Sequence, residues 1–152
     1  MKIEVVQVPE QCAVFAKATC KHSEIGATLH KLLPTVANYM ESASATMAGP
    51  PFCRYTGWRE DECDIEAGCP VVESLSGDGE VFTGVLGASR AVCAYYSGPY
   101  EGLHAAHTAC RSYIEENGLE PSEPPFEIYA TDPEEEPDPA KWVTHVYWPV
   151  AQ

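Results

Sequence analysis

Two stretches of the chain, about half its length apart, share one pattern of strand and turn residues. Each begins with a Pro-Pro-Phe segment, at residues 50–52 and 124–126, and each ends with a Pro-Val pair, at residues 70–71 and 149–150. β-branched and aromatic residues bounded by proline and aspartate clusters are typical of two strands joined by a loop. A repeat at half the chain length predicts an internal duplication, with chance similarity between proline-rich turns as the alternative.

Each predicted hairpin follows a predicted helix. Apolar residues recur at helical spacing over residues 25–40, with Ser23 as the expected N-cap and Pro34 as a kink or break. A second helix is predicted to open at residues 98–101 and to end in a left-handed cap at residues 117–118. Strand-like segments precede both helices, at residues 2–8 and 12–19 around a turn at Pro9-Glu10, and at 81–86 and 91–97.

The sequence therefore predicts an α+β fold in which the order β-β-α-β-β occurs twice. We expect antiparallel sheets, each with one helix on one face and its other face turned toward the second lobe across a shared space. A length of 152 residues fits a single domain, with a first lobe over about 1–75 and a second over about 80–152. The turn at residues 77–79 is the expected seam.

Composition excludes several classes of function. The net charge is −14 with only nine Lys and Arg, so no basic surface for direct binding to nucleic acid or anionic membranes is expected. No apolar run of membrane-spanning length or signal peptide is visible, and seven cysteines without a C-x-x-C pair favour reduced thiols in the cytoplasm. Zinc-ligand spacing, phosphate loops and dinucleotide motifs are lacking, so neither a metal nor a cofactor is expected. The oligomeric state stays open.

The second hairpin carries the residues with the most distinctive chemistry. By strand alternation Glu127 shares a face with Tyr129, and His145 shares a face with Tyr147. We expect these four to form one side of the hairpin, with the apolar residues on the other. Such a side joins a carboxylate, an imidazole and two phenols, which suits a binding cleft. An exposed strand carboxylate and a structural histidine are the plainer interpretations.

The first hairpin offers related candidates, because Tyr55 and Glu66 occupy the positions equivalent to Tyr129 and His145. Tyrosine rings beside a carboxylate could enclose an organic cation, although we expect one of the three hairpin tyrosines to be ordinary core. Trp58, predicted in a loop, could serve as a lid or fold back on the sheet, and Tyr100 could reach the cleft mouth. His104 and His107 are helically spaced for a metal, but a solvated helix face is the simpler interpretation.

The chain resembles the GyrI-like family, small-molecule-binding domains that also occur fused to MerR-type and AraC-type transcription activators. The resemblance covers nearly the whole chain, and the segments that carry it are residues 49–55, 66–71, 98–103, 117–118, 124–129, 132–133 and 142–150. It implies two pseudo-symmetric β-α-β-β lobes with a cleft for amphipathic, often cationic aromatic compounds. It also implies a buried carboxylate at Glu127, while His145 stands where many relatives have an acid.

These observations lead to a free-standing protein that binds an amphipathic aromatic small molecule, for sequestration or effector sensing. The predicted ligand-binding residues are Glu127, Tyr129, His145, Tyr147, Tyr55, Glu66, Trp58 and Tyr100. One alternative, implied by stand-alone relatives, is a hydrolase of cyclopropane-containing alkylating compounds, in which a carboxylate activates water. Its candidate catalytic residues are Glu127, Glu66, Tyr55 and His145. Another alternative is an interaction module that inhibits a larger enzyme.

Overall fold

The computed structural model describes all residues, 1–152, and has an α+β architecture of two α-helices and six strands. The elements are β1 (Lys2–Lys21), α1 (Ile25–Ser42), β2 (Phe52–Trp58), β3 (Glu62–Pro70), β4 (Phe82–Ser97), α2 (Leu103–Glu116), β5 (Phe126–Tyr129) and β6 (Val143–Pro149). Single 3-10 turns lie at His22–Glu24, Tyr100–Gly102 and Pro139–Lys141. None of the helices has both the length and the apolar character needed to cross a bilayer.

The chain divides into two compact units. The N-terminal unit is Glu10–Gly87, and the C-terminal unit combines Ala88–Gln152 with Met1–Pro9. This division differs from the predicted seam at residues 77–79, because β1 and β4 are each one continuous strand that contributes residues to both units. The predicted turn at Pro9-Glu10 and the predicted break between residues 86 and 91 are both wrong. Whether the two units arose by duplication stays a prediction.

In the N-terminal unit, β3 pairs antiparallel with both β1 and β2. Helix α1 contacts β3 and buries Val36 and Met40 against apolar strand residues. The helix runs through Pro34 without ending, and Ser23 lies in the 3-10 turn before it rather than at its N-cap. The resulting core consists of Val14, Ala16, Val36, Met40, Cys69, Val71 and Val81.

In the C-terminal unit, β6 pairs antiparallel with both β4 and β5. Helix α2 contacts β6 and buries a stripe formed by Leu103, Ala106, Cys110 and Ile114. It ends as predicted at residues 117–118, where Gly118 has a φ of 64° that suits glycine. One face of this sheet therefore lies beneath a helix, and the residues on that face are the ones α2 can contact.

Candidate functional site

The pairing of β5 with β6 separates the predicted site residues into two groups. Residues directly opposite each other in antiparallel strands share a face of the sheet. The expectation that Glu127 and Tyr129 lie on one side with His145 and Tyr147 is therefore wrong. The observed pairs are Phe126 with Tyr147, Glu127 with Val146, Ile128 with His145, and Tyr129 with Thr144.

Glu127 lies on the helix-covered face and is 3% exposed. Its Oε1 accepts a hydrogen bond from the Tyr129 hydroxyl at 2.7 Å, and its Oε2 lies 2.7 Å from Nε2 of His107 on α2. Trp148 Nε1 lies 3.0 Å from the other ring nitrogen of His107, Nδ1. An indole N–H can only donate, so Nδ1 accepts and the proton of the neutral ring is on Nε2. Glu127 thus accepts hydrogen bonds on both oxygens, the pattern of an ionised carboxylate.

Aromatic rings extend from this carboxylate toward the surface. The Tyr100 ring lies 5.6 Å from the Tyr129 ring and 4.9 Å from the Trp142 ring, measured between centroids. Trp142 is held in place by a 2.7 Å hydrogen bond from Nε1 to the carbonyl of Glu136. Tyr100 is 36% exposed, whereas Tyr129 is 9% exposed. We call Tyr100, Tyr129 and Trp142 the aromatic cluster.

Two carboxylates act on the Tyr100 ring of the aromatic cluster. Burial raises the pKa of Tyr100, and the charges of Asp132 and Glu127 raise it further. Asp132 lies at the surface and Glu127 in the interior. The pKa of Tyr100 is therefore raised by one exposed and one buried carboxylate. A flat ring in a negative field attracts organic cations through both its π face and the nearby charge.

Thr144 adds a polar atom to the same face. Its hydroxyl is fully buried and makes no hydrogen bond, and the residue is paired across the sheet with Tyr129 on one side and Tyr96 on the other. A buried polar group without a partner lowers stability, so such groups are rare in folded proteins.

His145 and Tyr147 lie on the opposite face of the C-terminal unit. They pair across the sheet with Tyr95 and Cys93, and Tyr147 stacks on Phe126 at 4.9 Å. Burial lowers the pKa of His145 and raises that of Tyr147. Burial therefore favours the neutral form of both side chains. Charged groups are nevertheless present on this face, because Lys2 Nζ lies 5.5 Å from the Tyr95 ring centroid and is ion-paired with Glu4 at 3.3 Å.

The remaining candidates belong to the N-terminal unit. Glu66 accepts a 2.9 Å hydrogen bond from Arg54 Nε and lies 4.0 Å from Lys17 Nζ, so two cations already accompany its charge. Trp58 is the last residue of β2 rather than a loop residue, and it stacks on His22 with a ring separation of 3.9 Å. Tyr55 meets Trp58 edge to face at 5.8 Å.

His107 contributes a hydrogen bond to Glu127, although its sequence position favoured a solvated helix face. It follows Leu103 by four residues and precedes Cys110 by three, so it lies within the apolar stripe of α2 rather than opposite it. That spacing was a usable signal of burial. Both ring nitrogens of His107 form hydrogen bonds within the protein, one with Trp148 and the other with Glu127. No group of three or more His, Cys, Asp and Glu is arranged to hold a metal ion.

An α+β fold with a buried carboxylate beneath aromatic rings defines a candidate small-molecule binding domain. The sequence profile of the GyrI-like small molecule binding domain matches residues 1–151, and the chain belongs to that family. The resemblance inferred from the sequence is thereby confirmed.

Solved structures share the fold. The EcmrR C-terminal domain is 20% identical with a TM-score of 0.89, over 99% of this chain and 98% of that domain. EcmrR in a complex with DNA is 22% identical with a TM-score of 0.87, and the match spans 99% of this chain but 57% of the EcmrR chain. SAV2435 bound to tetraphenylphosphonium is 12% identical with a TM-score of 0.71, over 99% of this chain and 94% of that one. Comparison with curated protein sequences gives no match.

Proposed function

We propose that the C-terminal unit binds amphipathic aromatic cations at the aromatic cluster, with Glu127 as the charge that selects them. The observation that carries this proposal is the burial of Glu127, 3% exposed, beneath Tyr129 and close enough to Tyr100 to raise its pKa. A buried carboxylate attracts a cation more strongly than an exposed one because solvent screens it less.

The rings supply the apolar part of recognition. An organic cation stacked on Tyr100 or Trp142 gains about 0.5–2 kcal/mol per ring from cation–π attraction, in addition to the burial of its own apolar surface. Tyr100 is the most exposed ring of the aromatic cluster, so a guest would first contact Tyr100 and Trp142, with Tyr129 between it and Glu127. The binding of tetraphenylphosphonium by SAV2435, which shares the fold, supports this ligand class.

The hydrogen bonds of Glu127 favour one kind of cation. Tyr129 and His107 already donate to its two oxygens. An ammonium group that brings N–H donors would exchange its hydrogen bonds with water for the remaining lone pairs of those two oxygens, and any further donor would remain unpaired in an apolar site. A cation without donors loses no hydrogen bonds on entering.

Isothermal titration calorimetry with tetraphenylphosphonium tests the proposal, with triphenylphosphine oxide as a neutral aromatic ligand of similar shape. Glu127→Gln is expected to weaken cation binding by tenfold or more, about 1.4 kcal/mol, while the neutral ligand distinguishes the two proteins little. Glu116→Gln, an exposed carboxylate at the end of α2, is the matched control for loss of one charge. Equal affinity of Glu127→Gln and the parent protein for the cation would contradict the proposal.

A second set of variants covers the case in which Glu127→Gln disturbs the fold. Tyr100→Leu alters a partly exposed ring and is expected to weaken cation binding by several-fold through loss of stacking. Tyr147→Phe alters the opposite face of the same sheet. Comparing the two variants shows whether the ligand binds on the face of Glu127 or on the face of His145. If Tyr147→Phe weakens binding and Tyr100→Leu does not, the ligand lies on the face of His145 and the site proposed here is wrong.

Hydrolysis of the same ligand class is a second candidate, favoured by the hydrogen-bonded chain from Trp148 through His107 to Glu127. A carboxylate oriented by two donors can take a proton from an attacking water. Incubation of the protein with a cyclopropane-containing alkylating compound, followed by mass spectrometry, tests this candidate. Addition of one water that Glu127→Gln abolishes would support it, and recovery of unchanged compound would exclude it.

The biological setting that fits best is cytoplasmic capture of such compounds, for sequestration or for signalling to a separate regulator. The family match and the free thiol form of all seven cysteines support that setting.

A further inference from the structure

Two cysteines of the N-terminal unit face each other across neighbouring strands. Cys20 on β1 pairs directly with Cys63 on β3, and the Cys20 thiol is near enough to contribute to the raised pKa of Cys63. Opposite residues in antiparallel strands have Cα atoms about 4.5–5.5 Å apart, and a disulfide needs about 4.4–6.8 Å. The backbone at this pair therefore already has the spacing of a disulfide.

The two thiols differ in access to solvent. Cys63 is fully buried, whereas Cys20 is partly exposed. Burial, followed by the proximity of Cys20, raises the pKa of Cys63 to about 12, so its thiol stays protonated at neutral pH. An oxidant from solvent would consequently meet Cys20 first, and Cys63 would act as the resolving thiol.

We propose that Cys20 and Cys63 are an oxidative modification site that forms a reversible disulfide with a hydroperoxide as the oxidant. The Cys20 thiolate attacks the peroxide O–O bond, which gives a sulfenic acid on Cys20 and releases water or an alcohol. The Cys63 sulfur then attacks the Cys20 sulfur, the S–S bond forms, and the sulfenic oxygen leaves as water with the Cys63 proton. The two thiols supply the two electrons that reduce the peroxide, and a dithiol reductant reverses the change by exchange.

The other cysteines lack this arrangement. Cys12 lies on the same strand with similar exposure, but the residue opposite it is Val71. Cys93 contributes to the raised pKa of Cys110, but both are fully buried and an oxidant has no access to them. Cys20 with Cys63 is therefore the pair that joins an accessible sulfur to a neighbouring one.

The modification would alter its surroundings in a measurable way. Trp58 pairs with Cys63 across the sheet and stacks on His22, two residues after Cys20. A disulfide next to this indole is expected to quench its fluorescence. The crosslink would also close a long loop that contains α1 and β2, which restricts the unfolded chain and raises the melting temperature.

The test treats the folded 152-residue protein with hydrogen peroxide, blocks remaining thiols by alkylation, and maps the peptides by mass spectrometry. We expect a peptide pair linked through Cys20 and Cys63, a rise in Tm of about 5 °C or more, and reversal of both by dithiothreitol. Cys12→Ser is the matched control and should leave the crosslink and the Tm shift unchanged.

Cys63→Ala must abolish both effects. Because a buried substitution can disturb folding, Cys20→Ser provides a second variant at a partly exposed position with the same expected result. Oxidation of Cys20 to a sulfinic acid with Cys63 still a free thiol would overturn the proposal. A Tm rise that persists in Cys20→Ser would overturn it as well.

Discussion

Trp148 donates its indole N–H to Nδ1 of His107 over 3.0 Å, and this contact determines which ring nitrogen carries the proton. The opposite nitrogen, Nε2, is consequently a donor and is directed at Glu127. A tryptophan on β6 and a histidine on α2 thus set the hydrogen bonding of a carboxylate on β5. Three elements of the C-terminal unit are tied together at one buried group.

Replacing His107 with phenylalanine is expected to lower the free energy of unfolding by about 2–3 kcal/mol. The change removes the acceptor of the Trp148 N–H and one donor to Glu127, and unsatisfied buried groups destabilise by about this amount. Urea unfolding measures the effect. His104→Phe, an exposed histidine one turn earlier on α2, should change stability by no more than about 0.5 kcal/mol. Equal losses in the two variants would show that the His107 contacts do not stabilise the fold.

Thr144→Val is expected to leave stability unchanged or raise it by about 1 kcal/mol. Valine has the same shape and removes a buried hydroxyl that makes no hydrogen bond. Thr131→Val provides the comparison, because the Thr131 hydroxyl accepts a 3.0 Å hydrogen bond from the backbone N–H of Val143 and its loss should cost about 1 kcal/mol. Thermal and urea unfolding of both variants check the difference in sign. A clear loss of stability in Thr144→Val would mean that its hydroxyl is already paired.

Two glycine-to-alanine substitutions should act in opposite directions. A Cβ on Gly68 of β3 would overlap the backbone carbonyl of Val14 on β1, so Gly68→Ala is expected to lose at least about 3 kcal/mol or fail to fold. A Cβ on Gly26 of α1 would meet nothing within 4 Å, and Gly26→Ala should gain up to about 1 kcal/mol from helix propensity. Urea unfolding gives both values. A tolerated Gly68→Ala would show that β1 and β3 approach less closely here.

Asp64 should make stability depend on pH in the acid range. Its carboxylate receives hydrogen bonds from Arg59 and Thr19, and these contacts lower its pKa to about 2. The unfolded value is about 3.9, so the stabilisation is fully present above pH 4 and is lost as the pH falls toward 2. Urea midpoints of the parent protein and Asp64→Asn should therefore converge between pH 4 and pH 2. Arg59→Gln should also weaken this pH dependence, and a constant gap between the parent protein and Asp64→Asn down to pH 2 would contradict the assignment.

Local patterns were sufficient to locate both helices and both hairpins, but they divide each of the long strands β1 and β4 into two. Proline and aspartate boundaries located both hairpins, the apolar spacing located both helices, and Gly118 marked the end of α2. These features depend on a few neighbouring residues. The α+β class and the family follow from the same short segments; the solved structures confirm the fold, and the family profile confirms the family.

The relation between strands required the structure. Alternation along a strand groups Glu127 with Tyr129, but the register with β6 decides that His145 lies on the other face. Likewise the register between β2 and β3 shifts between Tyr55 and Gly57, a bulge that no local rule located. Register depends on contacts between distant residues, so a single sequence leaves it open.

The register of β5 with β6 also bears on how this domain can diversify. No guest that lies on one face of the sheet can touch Glu127 and His145 at once, since the backbone of the hairpin separates them. Substitutions at His145 and Tyr147 can therefore accumulate without altering the carboxylate beneath α2. A single hairpin can thus offer two surfaces whose chemistry evolves separately.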